Sequence, residues 1–110
     1  MEQFKIVVTS DADRDMDEIF AYISENLLVP DTAGRLIERI YTALHSLSTM
    51  PERHPLSRDT YLAKQGFRLL PIENYLAFYV VDKPGKRVII HRVIYGKRNY
   101  IKLFLESKQE

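Results

Sequence analysis

The stretch RVIYGKRNYIK, residues 92–102, gathers Arg92, Lys97, Arg98 and Lys102 beside two phenols, Tyr95 and Tyr100, where an apolar run stops at Gly96. Cations at that density suit an anionic partner such as RNA, DNA or an acidic peptide. Lys97 and Arg98 stand just past the glycine, outside the apolar run, and so favour contact over packing. The charge of the chain is divided accordingly. Residues 1–82 hold 13 acids and 8 Lys/Arg, net −5, whereas residues 83–110 hold 8 Lys/Arg and 2 acids, net +6, within a total of +1. No acid occurs from Lys83 through Leu105. Such asymmetry implies one cationic face. The competing reading is a solvated basic edge that balances an acidic helix elsewhere.

Other chemistry is poorly supplied. The chain has no cysteine, which excludes disulfides, thiolate nucleophiles and zinc–thiolate sites. His54 lies between Arg53 and Pro55 with no second histidine at ligand spacing, so neither a metal nor another cofactor is expected. No apolar run approaches the ~18 residues that would suggest a membrane span. The opening MEQFKIVVTSDADRD lacks the basic and long apolar regions of a signal peptide. A cytoplasmic address is the simplest reading. At 110 residues and 45% hydrophobic, residues 1–110 are read as one domain with a small core.

The elements that must position the basic stretch follow from periodicity. QFKIVVT (3–9) reads as a strand. Ser10 or Asp11 can cap a helix whose first turns carry Asp13, Asp15 and Asp17, with an apolar stripe at Ala12, Met16, Ile19, Phe20, Ile23 and Leu27. Its acids read as solvated helix-end charges. Asp31 or Thr32 can cap a second helix, buried along Ala33, Leu36, Ile37, Ile40, Tyr41, Leu44 and Leu47 and ended by Pro51. Residues 51–66 show no period and read as a loop. Then GFRLLPI (66–72), ENYLAFYVVD (73–82) and RVIIHRVIY (87–95) alternate with period two, the last two joined by a turn at Lys83-Pro84-Gly85-Lys86. Both rows of the middle strand are apolar, which predicts a central strand covered on both sides. In the last strand, alternation places Val88, Ile90, Arg92 and Ile94 on one face. Residues 97–107 are expected to form a short helix. Helices followed by strands indicate an α+β fold: an N-terminal strand and a helical hairpin on a twisted, mainly antiparallel sheet, the far face carrying the basic residues.

In this order the pieces resemble a RelE/ParE superfamily toxin of a type II toxin–antitoxin system, over roughly Phe4 to Phe104. The resemblance rests on SDADRDMDEIFAYI, on a second helix closing at LSTMP, on GFRLLPIENYLAFYVVD and on VIIHRVIYGKRNY. It implies the same α+β fold and a toxin that arrests growth when its cognate antitoxin is lost. RelE-like members cleave mRNA on the ribosome, without metal; ParE-like members bind DNA gyrase. One fold serves both, so fold does not choose.

Cleavage through the 2′-OH needs a base, cations at the phosphate and an acid for the leaving oxygen. By resemblance, Arg68 falls on a basic position early in its strand and Arg98 on the arginine after the last strand. Tyr95 or His91 would move the proton. Leu70 and Leu76 fall where RelE-like enzymes carry further cations, and Phe104 falls near a tail tyrosine. Losing one transition-state charge typically costs ~10²–10³ in rate. The resemblance therefore leans toward the gyrase-binding branch, with Arg92, Lys97, Arg98, Tyr100 and Lys102 as target or nucleic-acid contacts. The alternatives are a ribosome-dependent endoribonuclease and, more weakly, a non-toxic nucleic-acid-binding domain. Structural roles compete at several positions: Arg68 paired with Glu73, and Tyr75, Tyr79 and His91 in the core.

Overall fold

β1 (Lys5–Val8) runs parallel to β4 (Arg87–Tyr95), with Lys5 opposite Arg87 and Val8 opposite Ile90. β4 pairs antiparallel with β3 (Tyr75–Asp82), and β3 with β2 (Arg68–Ile72), giving one sheet in the order β1-β4-β3-β2. These features come from a computed structural model, which describes residues 2–26 and 30–97. The helix expected over 97–107 therefore lies outside the described residues except for Lys97, as do Arg98, Tyr100 and Lys102.

α1 (Ser10–Ala21) follows β1 directly and ends in a π turn at Tyr22–Asn26. Its cap is Thr9, a residue earlier than the expected Ser10 or Asp11. The Thr9 hydroxyl accepts from the Ala12 N–H at 3.1 Å and donates to the His91 carbonyl at 3.0 Å. One side chain thus starts the helix and ties it to β4. α2 (Pro30–His45) begins before Asp31 and Thr32, the residues expected to cap it. Met16 and Ile23 from α1 and its extension, with Leu36, Ile40 and Leu44 from α2, pack on Leu70, Ala77, Tyr79, Val88, Ile90 and Val93 of the sheet. Burying each large aliphatic chain contributes roughly 1.5–3 kcal/mol. Tyr41 was expected in this stripe but is exposed, its hydroxyl donating to Asp13 at 3.4 Å. Ile40 and Leu44 fill the stripe, and Tyr41 lies about 100° round the helix from Ile40.

The opposite face differs from expectation. Residues 51–66, read as a loop, contain a 3₁₀ turn at Pro51–Arg53 and a short helix, α3 (Thr60–Lys64). Asp59 caps α3 by accepting from the Leu62 N–H at 3.0 Å. Gly66, at φ +86°, then turns the chain into β2. Leu62 and Phe67 close over Phe78 and Ile94, so this face holds a second apolar cluster where basic residues were expected. β3 is accordingly central and covered on both sides, as its two apolar rows predicted.

The strand alternation breaks once. Phe78 pairs with Arg92 but Tyr79 pairs with Ile90, which leaves His91 as an extra residue in β4. Such a bulge shifts every later side chain by one face. Val88 and Ile90 share the main core with Val93, while Ile94 joins the second cluster. The unbroken row Val88, Ile90, Arg92, Ile94 does not exist in the fold.

Candidate functional site

β1 stops opposite Ile90 while β4 continues to Tyr95, so among the described residues the last part of β4 has no strand on its outer edge. An uncovered edge leaves backbone groups unpaired. α1 crosses here and supplies Asp15 in place of a strand. The Asp15 carboxylate, 7% exposed, accepts from Arg92 Nε at 2.7 Å, Arg92 Nη2 at 2.8 Å and the Val93 N–H at 3.0 Å. Two oxygens meet two guanidinium donors in a fork geometry, which is the strong form of this pair. These hydrogen bonds, outweighing burial, push the Arg92 pKa further up. Arg92 is thus held within the fold, and its Nε and Nη2 donors are occupied.

The same bulge sends His91 to the second face. Its ring meets Phe67 edge-on at 5.1 Å, and burial pushes its pKa below the ordinary histidine value, with Asp11 opposing weakly. Tyr95 lies opposite Tyr75, the rings 5.9 Å apart and near-perpendicular. With Tyr22, Glu18, Asp15 and Ile19 they line a cleft of about 450 Å³ between α1 and the end of β4. Burial first, then the neighbouring Tyr95, Tyr22 and Glu73, raises the Tyr75 pKa.

Arg68 is elsewhere. Its Nη1 donates to the His54 carbonyl at 2.6 Å and the Glu52 carbonyl at 3.4 Å, and Nη2 reaches Glu52 Oε2 at 3.5 Å. Glu73, the partner weighed from sequence, pairs with Arg39. Glu73 sits at φ +54° in the two-residue turn joining β2 to β3 and is not part of a strand. Tyr79 is fully buried beside Arg68, its hydroxyl donating to the Pro51 carbonyl at 2.7 Å; burial pushes its pKa up to about 12. Leu70 is in the main core and Leu76 packs against the second cluster.

Lys97 is exposed. The Gly96 N–H donates to the Asn74 carbonyl at 2.8 Å, and a Cβ on Gly96 would stand 3.2 Å from that oxygen. The close approach favours glycine and leads the chain out to Lys97.

Of the sequence candidates, then, Arg92, Tyr95 and Lys97 gather at the end of β4. His91 packs against Phe67 of the second cluster, and Arg68 is tied to the 52–54 segment beyond β3. Asp15, Glu18 and Tyr22 were missed. A signal existed for Asp15: an acid three residues after Ala12 and four before Ile19 stands on the buried stripe.

A family model described as ParE toxin of type II toxin-antitoxin system, parDE, matches residues 6–100. Among solved structures, the chain is similar to one of the chromosomal ParDE toxin–antitoxin system from P. aeruginosa. That match has a TM-score of 0.70 at 21% identity and covers 86% of this chain and 98% of that one. It is also similar to a chain of the RelBE2 toxin–antitoxin complex from Mycobacterium tuberculosis, with TM-score 0.57, 21% identity and coverage of 84% and 98%. Likeness at that identity shows the fold. A search of curated proteins found no match.

Proposed function

The chain belongs to the ParE toxin family of type II toxin–antitoxin systems, and from that premise we propose that it arrests growth by binding DNA gyrase, not by cleaving mRNA. The observation that carries this reading is the dispersal of the candidate RNase groups. Arg68 is committed to the Glu52 and His54 carbonyls, Arg92 to Asp15, and His91 packs against Phe67 on the far face. Phosphoryl-transfer chemistry needs its acid, base and cations converged on one reacting group. The positions of Leu70 and Leu76 are filled by packing.

Target contacts are assigned to Lys97 and, beyond the described residues, to Arg98, Tyr100 and Lys102. Arg92 supports them by holding the end of β4. The antitoxin is the second partner; an acidic segment would complement this cationic end. The P. aeruginosa and M. tuberculosis relatives, both from toxin–antitoxin systems, support that assignment.

The test is pulse-labelling of DNA and protein synthesis within minutes of inducing the chain alone, beside a supercoiling assay with purified gyrase. DNA synthesis should stop first and supercoiling should be inhibited. Lys97→Ala should weaken inhibition about tenfold, the scale of one lost charged contact. Prompt arrest of protein synthesis with cleaved mRNA would sink the proposal.

A further inference from the structure

The cleft at the end of β4 has a chemistry opposite to that of the basic stretch beside it. Three tyrosines reach it from three elements: Tyr22 from the turn after α1, Tyr75 from β3 and Tyr95 from β4. Tyr22 is 56% exposed and Tyr95 43%. None of their three hydroxyls makes a hydrogen bond among the described residues. Arg92 is paired directly with Asp15, which leaves Glu18 as the carboxylate on the wall without a direct ion pair among the described residues, though it feels the Arg92 charge at longer range. Glu18 is exposed, and its carboxylate makes no hydrogen bond or ion pair among the described residues. The wall it stands on is acidic in sequence: residues 10–26 carry six acids and a single arginine, and that Arg14 faces Asp11 at 3.8 Å.

An apolar anchor would gain nothing from Glu18 and would crowd against phenols whose hydroxyls want water or a partner. A cation gains from both, since ring faces attract positive charge and a carboxylate nearby adds to it. A planar guanidinium can also stack on a ring while donating to the carboxylate. We infer that this cleft is a subsite for a basic side chain, arginine before lysine, presented by a partner polypeptide. The inference goes beyond the choice of target and holds for either. It also constrains the partner. A segment crossing this end of β4 carries an arginine for the Tyr22–Tyr75–Tyr95 cleft and acidic residues for Lys97.

The test uses blocked amino acids as probes: N-acetyl-arginine methylamide, its lysine analogue and its norleucine analogue. Ring resonances of the seven tyrosines are followed by NMR during titration. The arginine probe should shift Tyr22, Tyr75 and Tyr95 saturably and leave buried Tyr79 unmoved, binding about tenfold more tightly than norleucine. Glu18→Gln should weaken the arginine probe about tenfold without changing the norleucine response. Its unfolding midpoint should match the wild type, because Glu18 is exposed. Equal affinity for arginine and norleucine would overturn the inference in favour of an apolar groove. So would undiminished arginine binding in Glu18→Gln, or no shift at the three rings.

Discussion

Arg87 opens β4 and Arg92 stands in its second half, past the bulge, and each meets an aspartate through Nε and Nη2. Arg87 places both donors on one oxygen of Asp82, at 3.0 and 2.8 Å, across the strand pair it belongs to. Arg92 spreads its donors over both oxygens of Asp15, at 2.7 and 2.8 Å, from a different layer of the molecule. The first pair lies at the surface where β1 already covers the strand. The second replaces β1 where β1 has ended, and its carboxylate also holds the Val93 N–H. The same two residue types therefore differ in consequence because of what the strand edge lacks. At one end a salt bridge decorates a finished sheet; at the other it finishes the sheet.

The largest test of that contrast is Asp15→Ala. It leaves the Arg92 guanidinium and the Val93 N–H without their partner in a mostly buried setting. Stability should fall by about 3 kcal/mol, read from urea or guanidinium unfolding. A loss no larger than that of a surface substitution would show that Asp15 does not close the edge. The variant should also weaken the proposed inhibition of gyrase, since the end of β4 presents Lys97.

Removing both charges separates the ion pair from the edge. In the double variant Asp15→Leu with Arg92→Met, no charge is stranded, and apolar replacements of buried pairs are often near neutral. The Val93 N–H remains unpaired, however, which costs roughly 1–3 kcal/mol. The double variant should therefore recover part of the Asp15→Ala loss and not all of it. Full recovery would assign the whole effect to the charges.

Between the two pairs sits the bulge residue His91. Its folded pKa is lowered by burial, so the unfolded chain binds more protons once the pH drops below about 6.5. Stability should be fully present above that pH, decline on acidification through it, and level off below the folded pKa. His54, lowered by burial and by Arg53, adds to the same slope. The informative quantity is thus the difference between wild type and His91→Gln, which should show a shallower decline. Equal slopes would mean that His91 stays hydrated in the fold.

The contrast also marks how far the sequence could be read. Element types, the central β3 and the α+β order follow from periodicity, because burial on two faces leaves two apolar rows. The bulge leaves no such trace. Val88, Ile90, Arg92 and Ile94 satisfy strict alternation, and only the pairing of Arg92 with Phe78 shows that an extra residue has intervened. α3 was hidden for a different reason: five residues make too few turns to display a helical period. At the site, the cluster Arg92, Tyr95 and Lys97 was legible as local sequence. Its partners Asp15, Glu18 and Tyr22 come from the other end of the chain, where their neighbours read as an ordinary acidic helix.

The smallest effect is expected from Asp82→Ala, and its smallness is informative. Asp82 accepts from the Gly85 N–H at 3.1 Å as well as from Arg87, and these bonds, Arg87 first, lower its pKa. A lowered carboxylate pKa gives stability that is present at neutral pH and is lost only as the pH falls through the folded pKa. Near neutrality, water can take over both contacts at this exposed turn, and added salt screens the pair. The unfolding midpoint of Asp82→Ala should stay close to wild type and converge on it as salt is raised. The Asp15→Ala deficit should persist in the same salt series, because it includes an unpaired backbone group that ions do not screen. If the two variants lost stability in parallel and both recovered with salt, the Asp15 pair would be a second surface bridge, and the end of β4 would need another explanation for its order.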